Sequence, residues 1–425
     1  MLGRVVPKLV HAADLHLDSP LVGLERYEGA PVAELRRATR GALDRLVELC
    51  IGEQASLLLI AGDLFDGNWR DYSTGLFLVE RMTRLREAGV RVVWIRGNHD
   101  AASRLRKHLR MPENVRELRT SEPESVTFED LNLVVHGQGF AEAAVTEDLT
   151  RRYPAAVAGA VNVGLLHTAL DGREGHAPYA PCSLTALVDR GYDYWALGHA
   201  HTHEIVSRAP WVVYPGNLQG RQAREAGPKG AVVVEFDGAR VTSVSPRALD
   251  VVRWAKVVVE APEAASLDDV GEVVRQRLGA ACRAAGERLV AARVEIVGPS
   301  PVHATLKADP ERVTETVRAA ALDVDGGSAW VERVVVRTRP HGDRLLEWSR
   351  ELGPLADLAR ELTALAASPT ALEAFLGELP GLSELSRKVR PLSAAGAELA
   401  LASPASLLEE AKELLVARLS ELGEG

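Results

Sequence analysis

The sequence has few cysteines, no long apolar run and no surplus of basic residues. Its three cysteines, Cys50, Cys182 and Cys282, lie far apart and form no CxxC pair, which excludes a disulfide framework and a cysteine-based zinc site. The longest apolar runs, such as SLLLIA at residues 56–61, are much shorter than the ~18 residues that a membrane span requires. No cleavable hydrophobic segment follows the N-terminal charges. We therefore expect a cytoplasmic protein that does not bind a membrane.

The net charge is −9, from 50 basic and 59 acidic residues. Proteins that bind nucleic acids usually present a basic surface, because contacts to phosphates supply much of their affinity. Bound divalent metal ions would offset part of the negative charge locally. The composition therefore argues weakly against a nucleic-acid partner and does not exclude one.

Strand-like and helical segments alternate over roughly the first 200 residues. Short β-rich runs such as KLVHA, SLLLIAGD and VRVVWIRGNHD are separated by stretches with apolar residues at three- and four-residue spacing, at residues 31–55 and 73–89. This spacing predicts helices, and helices between β-rich runs are typical of crossovers that connect parallel strands. The pattern therefore predicts a layered α/β architecture.

A chain of 425 residues has room for two or three domains. We expect the first domain at residues 1–245 and a small α+β domain at residues 251–340. In the second, the pattern indicates strand, helix, strand, strand, helix and strand, with VHATLKA at residues 302–308 as the third strand. Residues 341–425 are rich in leucine, and their pattern predicts helices to the end of the chain.

Five of the predicted strands end in side chains that can bind a metal ion. These side chains are Asp14 and His16; Asp63 and Asp66; Asn98, His99 and Asp100; His167; and His199 and His201. In open α/β sheets the carboxyl ends of the strands form the binding crevice. Oxygen and imidazole ligands without thiolate favour Mn, Fe or Zn, and there are enough of them for two ions. We expect Asp63 to bridge the ions. Two such ions can hold a hydroxide for in-line attack on a phosphate ester, which makes hydrolysis of that bond the expected reaction.

The order of these blocks, D-x-H, G-D, G-N-H-D, a lone H and G-H-x-H, resembles that of the calcineurin-like metallophosphoesterases. The stretches ADLHLDSPL, AGDLFDG and YPGNLQGRQAREAGPKG are similar to those of the bacterial DNA-repair exonucleases of the SbcD and YhaO type. The strong part of the resemblance covers residues 8–236. It implies a layered β-sandwich flanked by helices, followed by a small α+β capping domain and a C-terminal helical segment.

The resemblance also implies roles for individual residues. It assigns Asp14, His16, Asp63 and His201 to one metal ion, and Asp63, Asn98, His167 and His199 to the other. His99 would contact the scissile phosphate and aid the leaving oxygen, while Asp100 would fix the orientation of His99. We expect the two divalent ions to be Mn²⁺.

Several other residues can be interpreted in two ways. Arg104, Arg221 and Arg224 are candidate contacts to substrate phosphate, although basic side chains are usually just solvated. The histidine that the family usually has after QGR is Gln222 in this chain. The remaining candidates are polar residues near the blocks, for which support of the site and a purely structural role are both open: Asp18, Asp66, His136 and His203.

The leading hypothesis for function is a metal-dependent DNA phosphodiesterase, an exonuclease of DNA repair. One alternative keeps the chemistry but changes the substrate to a small phosphodiester or phosphate ester, which the acidic charge tolerates better. Another is a non-catalytic scaffold, which such an intact set of ligand residues disfavours.

The resemblance further implies a partner, an SMC-like coiled-coil ATPase of the SbcC/YhaN type that binds the C-terminal helices. Leucines at helical spacing in residues 341–425 would suit such a contact, or would equally pack on the protein itself. A homodimer is a further assembly that the sequence leaves open.

Overall fold

The structure is a computed structural model that describes most of the chain. The described residues are 6–19, 29–66, 72–102, 109–172, 179–238, 240–324, 328–340 and 348–379, with eight positions between 405 and 419. The chain divides into two compact units, Met1–Ala255 with Ala285–Ala291, and Lys256–Ala284 with Ala292–Gly425. Within the described residues, no helix has both the length and the apolar character that crossing a membrane requires.

The first unit alternates strands and helices. Its strands are β1 Lys8–Ala12, β2 Leu57–Ala61, β3 Arg91–Ile95, β4 Val115–Glu117, β5 Glu124–Phe128, β6 Leu133–Gly137, β7 Val161–His167, β8 Tyr194–Gly198, β9 Glu204–Arg208, β10 Trp211–Tyr214, β11 Gly230–Phe236 and β12 Val241–Ala248. Its helices are α1 Val32–Gly52, α2 Tyr72–Glu87, α3 Asn98–Ala102 and α4 Leu184–Val188. The two predicted crossover helices correspond to α1 and α2.

The twelve strands form two six-stranded sheets, in the orders β12-β11-β1-β2-β3-β4 and β5-β6-β7-β8-β10-β9. Strands β1 to β4 are parallel, and so are β6, β7, β8 and β10. The outer strands β5, β9, β11 and β12 run antiparallel to their neighbours. The layered α/β sandwich expected from the sequence is confirmed.

Alternation along strand β2 explains the layers. Leu57 and Leu59 belong to the apolar core between the two sheets, whereas Leu58 and Ile60 belong to the core between the first sheet and helices α1 and α2. Because successive strand residues point to opposite faces, a strand that is apolar at every position fits only between two apolar layers. Helix α1 buries Leu43 and other apolar residues of one face in the second of these cores.

The second unit contains most of a three-stranded sheet, in the order β13-β14-β15. Its elements are β13 Val252–Glu260, α5 Leu267–Ala285, β14 Leu289–Ser300, α6 His303–Ala308, α7 Pro310–Leu322, β15 Ala329–Pro340, α8 Pro354–Ala367 and α9 Pro369–Glu378.

The strand predicted at residues 302–308 is wrong, because these residues form helix α6. Its buried side chains include His303 and Leu306, three residues apart, which is the spacing of one helix face. Asp309 then caps the next helix by accepting a hydrogen bond from the Arg312 amide at 3.0 Å. The alternation of apolar and polar residues in VHATLKA is too short to distinguish a strand from a helix of one or two turns.

Candidate metal centre

The polar residues that follow five parallel strands meet at one edge of the sandwich. Strands β1, β2 and β3 of the first sheet and β7 and β8 of the second end at this edge. Three groups of side chains there have ligand atoms within 4.8 Å of one another: Asp14 with His16 and His201; His16 with Asp63 and His99; and Asp14 with Asp63 and His167. Residues far apart in sequence and from both sheets therefore share one small volume.

The backbone at this edge is in the left-handed region at four of the predicted ligands. The φ angles are 51° at Asp14, 43° at His16, 53° at Asp63 and 102° at His199. Each such residue costs on the order of 1–3 kcal/mol unless its surroundings hold it, and such strain clusters at functional sites. Here neighbouring turns hold it, since the amide of Asp14 donates to the Gly62 carbonyl and that of His16 to the Asp63 carbonyl, both at 3.0 Å.

Two glycines are required by close approach at the site. A Cβ on Gly97 would lie 2.2 Å from Oδ1 of Asp63, and one on Gly198 would lie 1.9 Å from the carbonyl oxygen of Ala61. Both distances are far inside van der Waals contact, so a side chain at either position would push the strand ends apart. This explains why glycine precedes the polar residues in G-N-H-D and G-H-A-H.

Asp63 lies between imidazoles of both sheets. Its Oδ1 accepts a hydrogen bond from the His99 amide at 2.9 Å. Its Oδ2 lies 3.6 Å from Nε2 of His167 and 3.9 Å from Nε2 of His16. One oxygen is thus held by the backbone, and the other faces two histidines assigned to different ions, the position that a bridging ligand needs.

His167 presents a lone pair to the site. Its Nδ1 donates to the carbonyl of Ala61 at 2.8 Å, which leaves Nε2 unprotonated in the neutral ring. Burial lowers the pKa of His167 to about 3, so the ring is neutral near pH 7. Nε2 lies 3.0 Å from Oδ1 of Asn98. The lone pairs of Nε2 and of Oδ1 then face each other and repel unless a cation lies beside them. The two atoms therefore fit a metal ion.

His201 makes a matching arrangement on the other side of Asp63. Its Nδ1 lies 2.8 Å from Oε1 of the buried Glu225, and its Nε2 lies 3.3 Å from Nε2 of His16. A carboxylate on the far nitrogen of a histidine is the usual support of a metal-binding imidazole. The sequence interpretation did not identify Glu225, because nothing in QGRQAREAGPKG shows that its one acidic side chain turns inward.

The carboxylates of Asp14 and Asp63 are both buried with little compensating charge. Oδ1 of Asp14 is buried and makes no hydrogen bond to any described residue. Burial, with the neighbouring Asp63, raises the pKa of Asp14 well above its ordinary range, and burial raises the pKa of Asp63 to about 6. Buried carboxylates are stable only when paired with a cation or protonated. The residues present therefore fit divalent cations.

Asp66, and not Asp100, orients His99. Nδ1 of His99 lies 2.8 Å from Oδ1 of Asp66, whereas the two oxygens of Asp100 accept hydrogen bonds from the amides of Phe65 at 3.0 Å and Gly97 at 3.1 Å. The expected role of Asp100 is therefore wrong, because its two oxygens accept from backbone amides while Asp66 contacts the ring of His99. The ion pair with Asp66 raises the pKa of His99, which favours the protonated ring.

The other predicted ligand, His199, lies at the same edge. Its amide donates to Oδ2 of Asp14 at 2.9 Å, and its ring centroid is 5.2 Å from that of His167. Of the two histidines with open roles, His203 contacts the carbonyl of Tyr214 at 3.0 Å, and His136 contacts Ser125 and Asn162.

The three arginines predicted to contact phosphate have different surroundings. Arg104 lies outside the described residues. Arg224 is exposed, as a substrate contact requires. Arg221 differs from the expectation, because its guanidinium contacts the carboxylates of Asp66 and Glu225, each at 3.4 Å, and only 16% of its side chain is exposed.

Two family models match this chain. The model for calcineurin-like phosphoesterase matches residues 7–203, which include all seven predicted metal ligands. The model described as "Metallophosphoesterase YhaO, middle domain" matches residues 254–339. Residues 7–203 of the chain are therefore a calcineurin-like phosphoesterase domain, and the predicted ligands of the candidate metal centre all lie within it.

Three individual proteins are similar in sequence to this chain. The chain is 35% identical over 269 residues to the uncharacterized metallophosphoesterase YhaO of Bacillus subtilis, across 62% of this chain and 66% of that protein. It is 30% identical over 259 residues to the DNA double-strand break repair protein Mre11 of Methanopyrus kandleri, across 54% of each chain. The Mre11 protein of Sulfurisphaera tokodaii is 22% identical over 249 residues, across 54% of this chain and 60% of that protein. The matched region thus spans less than two thirds of each relative.

Proposed function

We propose that the chain is a metal-dependent DNA phosphodiesterase that acts as an exonuclease in DNA repair. The observation that carries the proposal is the meeting of ligand atoms from five strand ends, with Oδ2 of Asp63 between the imidazoles of His16 and His167. The similarity to two proteins named for DNA double-strand break repair favours DNA over a small ester as the substrate.

The proposed metal ions are two Mn²⁺, held by oxygen and imidazole nitrogen alone. The proposed ligands of the first are Asp14, His16, Asp63 and His201, and those of the second are Asp63, Asn98, His167 and His199. When bound, such ions lower the pKa of water and offset the charge of a phosphoryl group. Nδ1 of His167 and Nδ1 of His201 each face an acceptor, which directs Nε2 of both rings toward the site.

The proposed role of His99 is to give a proton to the leaving oxygen. Its side chain is 39% exposed, so a phosphodiester can reach it, while most of the cluster is buried. Asp66 holds Nδ1 at 2.8 Å and favours the charged ring. With Nδ1 held by Asp66, Nε2 is the nitrogen that would act as the general acid. Arg224, exposed on the neighbouring loop, is a proposed contact to the DNA backbone.

The test uses the metal-stripped full chain with end-labelled linear DNA, circular DNA and a chromogenic phosphodiester, each with and without Mn²⁺. We expect Mn²⁺-dependent shortening of linear DNA. The variant His201→Ala should lose this activity, and His203→Ala, which removes a nearby imidazole outside the cluster, should keep it. Hydrolysis of the small ester with no action on any DNA would refute the DNA proposal and favour a small-molecule phosphodiesterase or phosphatase. Equal activity of the two histidine variants would refute the metal centre.

We also propose that the C-terminal helical segment binds an SMC-like coiled-coil ATPase of the SbcC/YhaN type. Large apolar side chains on and beside helices α8 and α9 are solvent-exposed, with Leu352 99%, Phe375 42% and Leu379 39% accessible. Such side chains suit a helix-in-groove contact. Deletion of residues 341–425 should abolish copurification with the co-expressed ATPase and leave hydrolysis of the small ester largely intact. A truncated chain that still copurifies would refute the proposal, as would one that is insoluble because the helices complete its core.

A further inference from the structure

We propose that Glu225 and Arg221 are positioning residues of the metal centre. Glu225 fixes the tautomer of His201, and Arg221 joins Glu225 to Asp66, which holds His99. The inference rests on the proposed function, because it concerns the same centre. It gives Arg221 a role different from the substrate contact that the sequence suggested.

Glu225 is held too firmly to adopt another rotamer. Its residue is only 7% exposed, and both of its oxygens have partners. Oε1 contacts Nδ1 of His201 at 2.8 Å, while Oε2 accepts hydrogen bonds from the Arg221 amide at 2.7 Å and from Nδ2 of Asn217 at 2.9 Å. These three contacts fix the carboxylate of Glu225 in its buried position.

The distances decide which proton His201 carries. An Arg221 nitrogen lies 3.5 Å from Nδ1 of His201, and Glu225 lies 2.8 Å from the same atom. An arginine can only donate and a carboxylate can only accept, so the two contacts demand opposite tautomers. The shorter contact, to a full negative charge, prevails. Nδ1 then carries the proton, and Nε2 faces the site with its lone pair.

Arg221 links Glu225, which supports His201, to Asp66, which supports His99. One of its terminal nitrogens donates to Oδ2 of Asp66 at 3.4 Å, and another donates to Oε1 of Glu225 at 3.4 Å. The other oxygen of Asp66 holds Nδ1 of His99 at 2.8 Å. A planar guanidinium can contact two carboxylates at once, whereas the single ammonium of lysine makes a point contact. Arg221 therefore contacts two carboxylates, Asp66 and Glu225. Each of them lies 2.8 Å from Nδ1 of a histidine of the site, His99 and His201 respectively.

Two variants separate the roles. Glu225→Gln keeps the shape but removes the charge, and loss of such a partner typically weakens metal binding ~10–100-fold. We expect titration calorimetry with Mn²⁺ on the metal-stripped full chain to show one of two sites weakened by this factor. Saturating Mn²⁺ should then restore the rate of Glu225→Gln. Arg221→Lys should keep a rate defect at saturating Mn²⁺, because Asp66, which holds His99, has lost one of its partners.

The matched controls are Glu235→Gln, at a half-buried residue, and Arg240→Lys, at an exposed one. Both make the same chemical changes outside the centre and should bind both ions like the wild type. Full affinity at both sites in Glu225→Gln would overturn the inference, and so would recovery of the full rate in Arg221→Lys. A wild-type chain that binds no Mn²⁺ would instead overturn the proposed function. If a variant does not fold, nitrogen chemical shifts of labelled histidine in the metal-free wild type still decide. A proton on Nδ1 of His201 supports the inference, and a proton on Nε2 overturns it.

Discussion

Replacement of Asp63 by asparagine should stabilise the metal-free protein while it abolishes the response to metal. Burial raises the pKa of this carboxyl from 3.8 to about 6. Ionised Asp63 therefore costs the folded state about 3 kcal/mol above pH 6 or so. Asparagine removes the charge, and its oxygen can still accept the hydrogen bond of the His99 amide. The shape of the site is thus kept, and only the charge that a metal ion needs is lost.

The sign of the pH dependence follows from the raised pKa. Between about pH 4 and pH 6 the folded state binds more protons at Asp63 than the unfolded state, so the cost of this carboxylate grows as pH rises through that window. The advantage of Asp63→Asn should therefore be about a third of its full value near pH 4.5 and complete near pH 8. For a unit of this size, 1 kcal/mol changes the thermal midpoint by about 2 °C. The full 3 kcal/mol would therefore raise the midpoint of Asp63→Asn by at most about 6 °C at pH 8.

Scanning calorimetry of the chelator-treated wild type and variant at both pH values tests this directly. Asp66→Asn is the matched control with the opposite sign. Burial disfavours its charge, but hydrogen bonds from His99 and Ser19 lower the pKa of Asp66 to about 2, so removal of this charge should lower the midpoint. With Mn²⁺ at 100 times its Kd, the wild type should gain about 2.7 kcal/mol per ion and Asp63→Asn almost nothing. A metal-free Asp63→Asn that melts below the wild type at pH 8 would refute the reasoning, as would a full response to Mn²⁺.

Three further substitutions have distinct expected outcomes. His99→Ala should keep both ions but lose ~10²- to 10⁴-fold in rate, because a proton donor acts on the transition state; metal analysis beside kinetics checks this, and wild-type turnover would exclude the role. Gly97→Ala should retain a folded circular dichroism spectrum yet bind Mn²⁺ weakly, since its Cβ would lie 2.2 Å from Oδ1 of Asp63; unchanged affinity would contradict the steric argument. Tyr153→Phe leaves the amide of Gln138 without its 3.0 Å acceptor and should lower the free energy of unfolding by about 1–3 kcal/mol with no change in Mn²⁺ affinity; an unchanged denaturation midpoint would count against it.

The sequence was most informative where an apolar strand ends in a polar residue. A run such as LLLIA followed by G-D fixes both a buried strand and the sheet edge at which Asp63 lies, because the carboxyl ends of parallel strands meet. The sandwich and the meeting of the strand ends could therefore be predicted. The assignment of each ligand to one ion stays a prediction, as do the domain boundaries.

The supporting residues could not be predicted because their roles depend on side-chain direction in irregular backbone. Asp100 directly follows His99 and Asp66 lies in an earlier block, yet it is Asp66 that turns toward the ring of His99, while Asp100 turns toward two amides. Glu225 is 24 positions from His201, in a loop whose course no periodicity describes. Distances in sequence carry no information on which oxygen of a carboxylate faces which nitrogen.

The division of the centre between two sheets has a consequence for folding. The first sheet brings Asp14 and Asp63, and the second brings His167 and His201. Of these, Asp14 and His201 are 187 positions apart along the chain. Contacts of such high contact order form late, since a long loop must close before they contribute. No fragment that lacks either sheet can hold the full set of ligands. The chain should therefore bind metal ions only in the last stage of folding, when the two sheets have docked. A bound ion would then hold both sheets and slow their separation on unfolding.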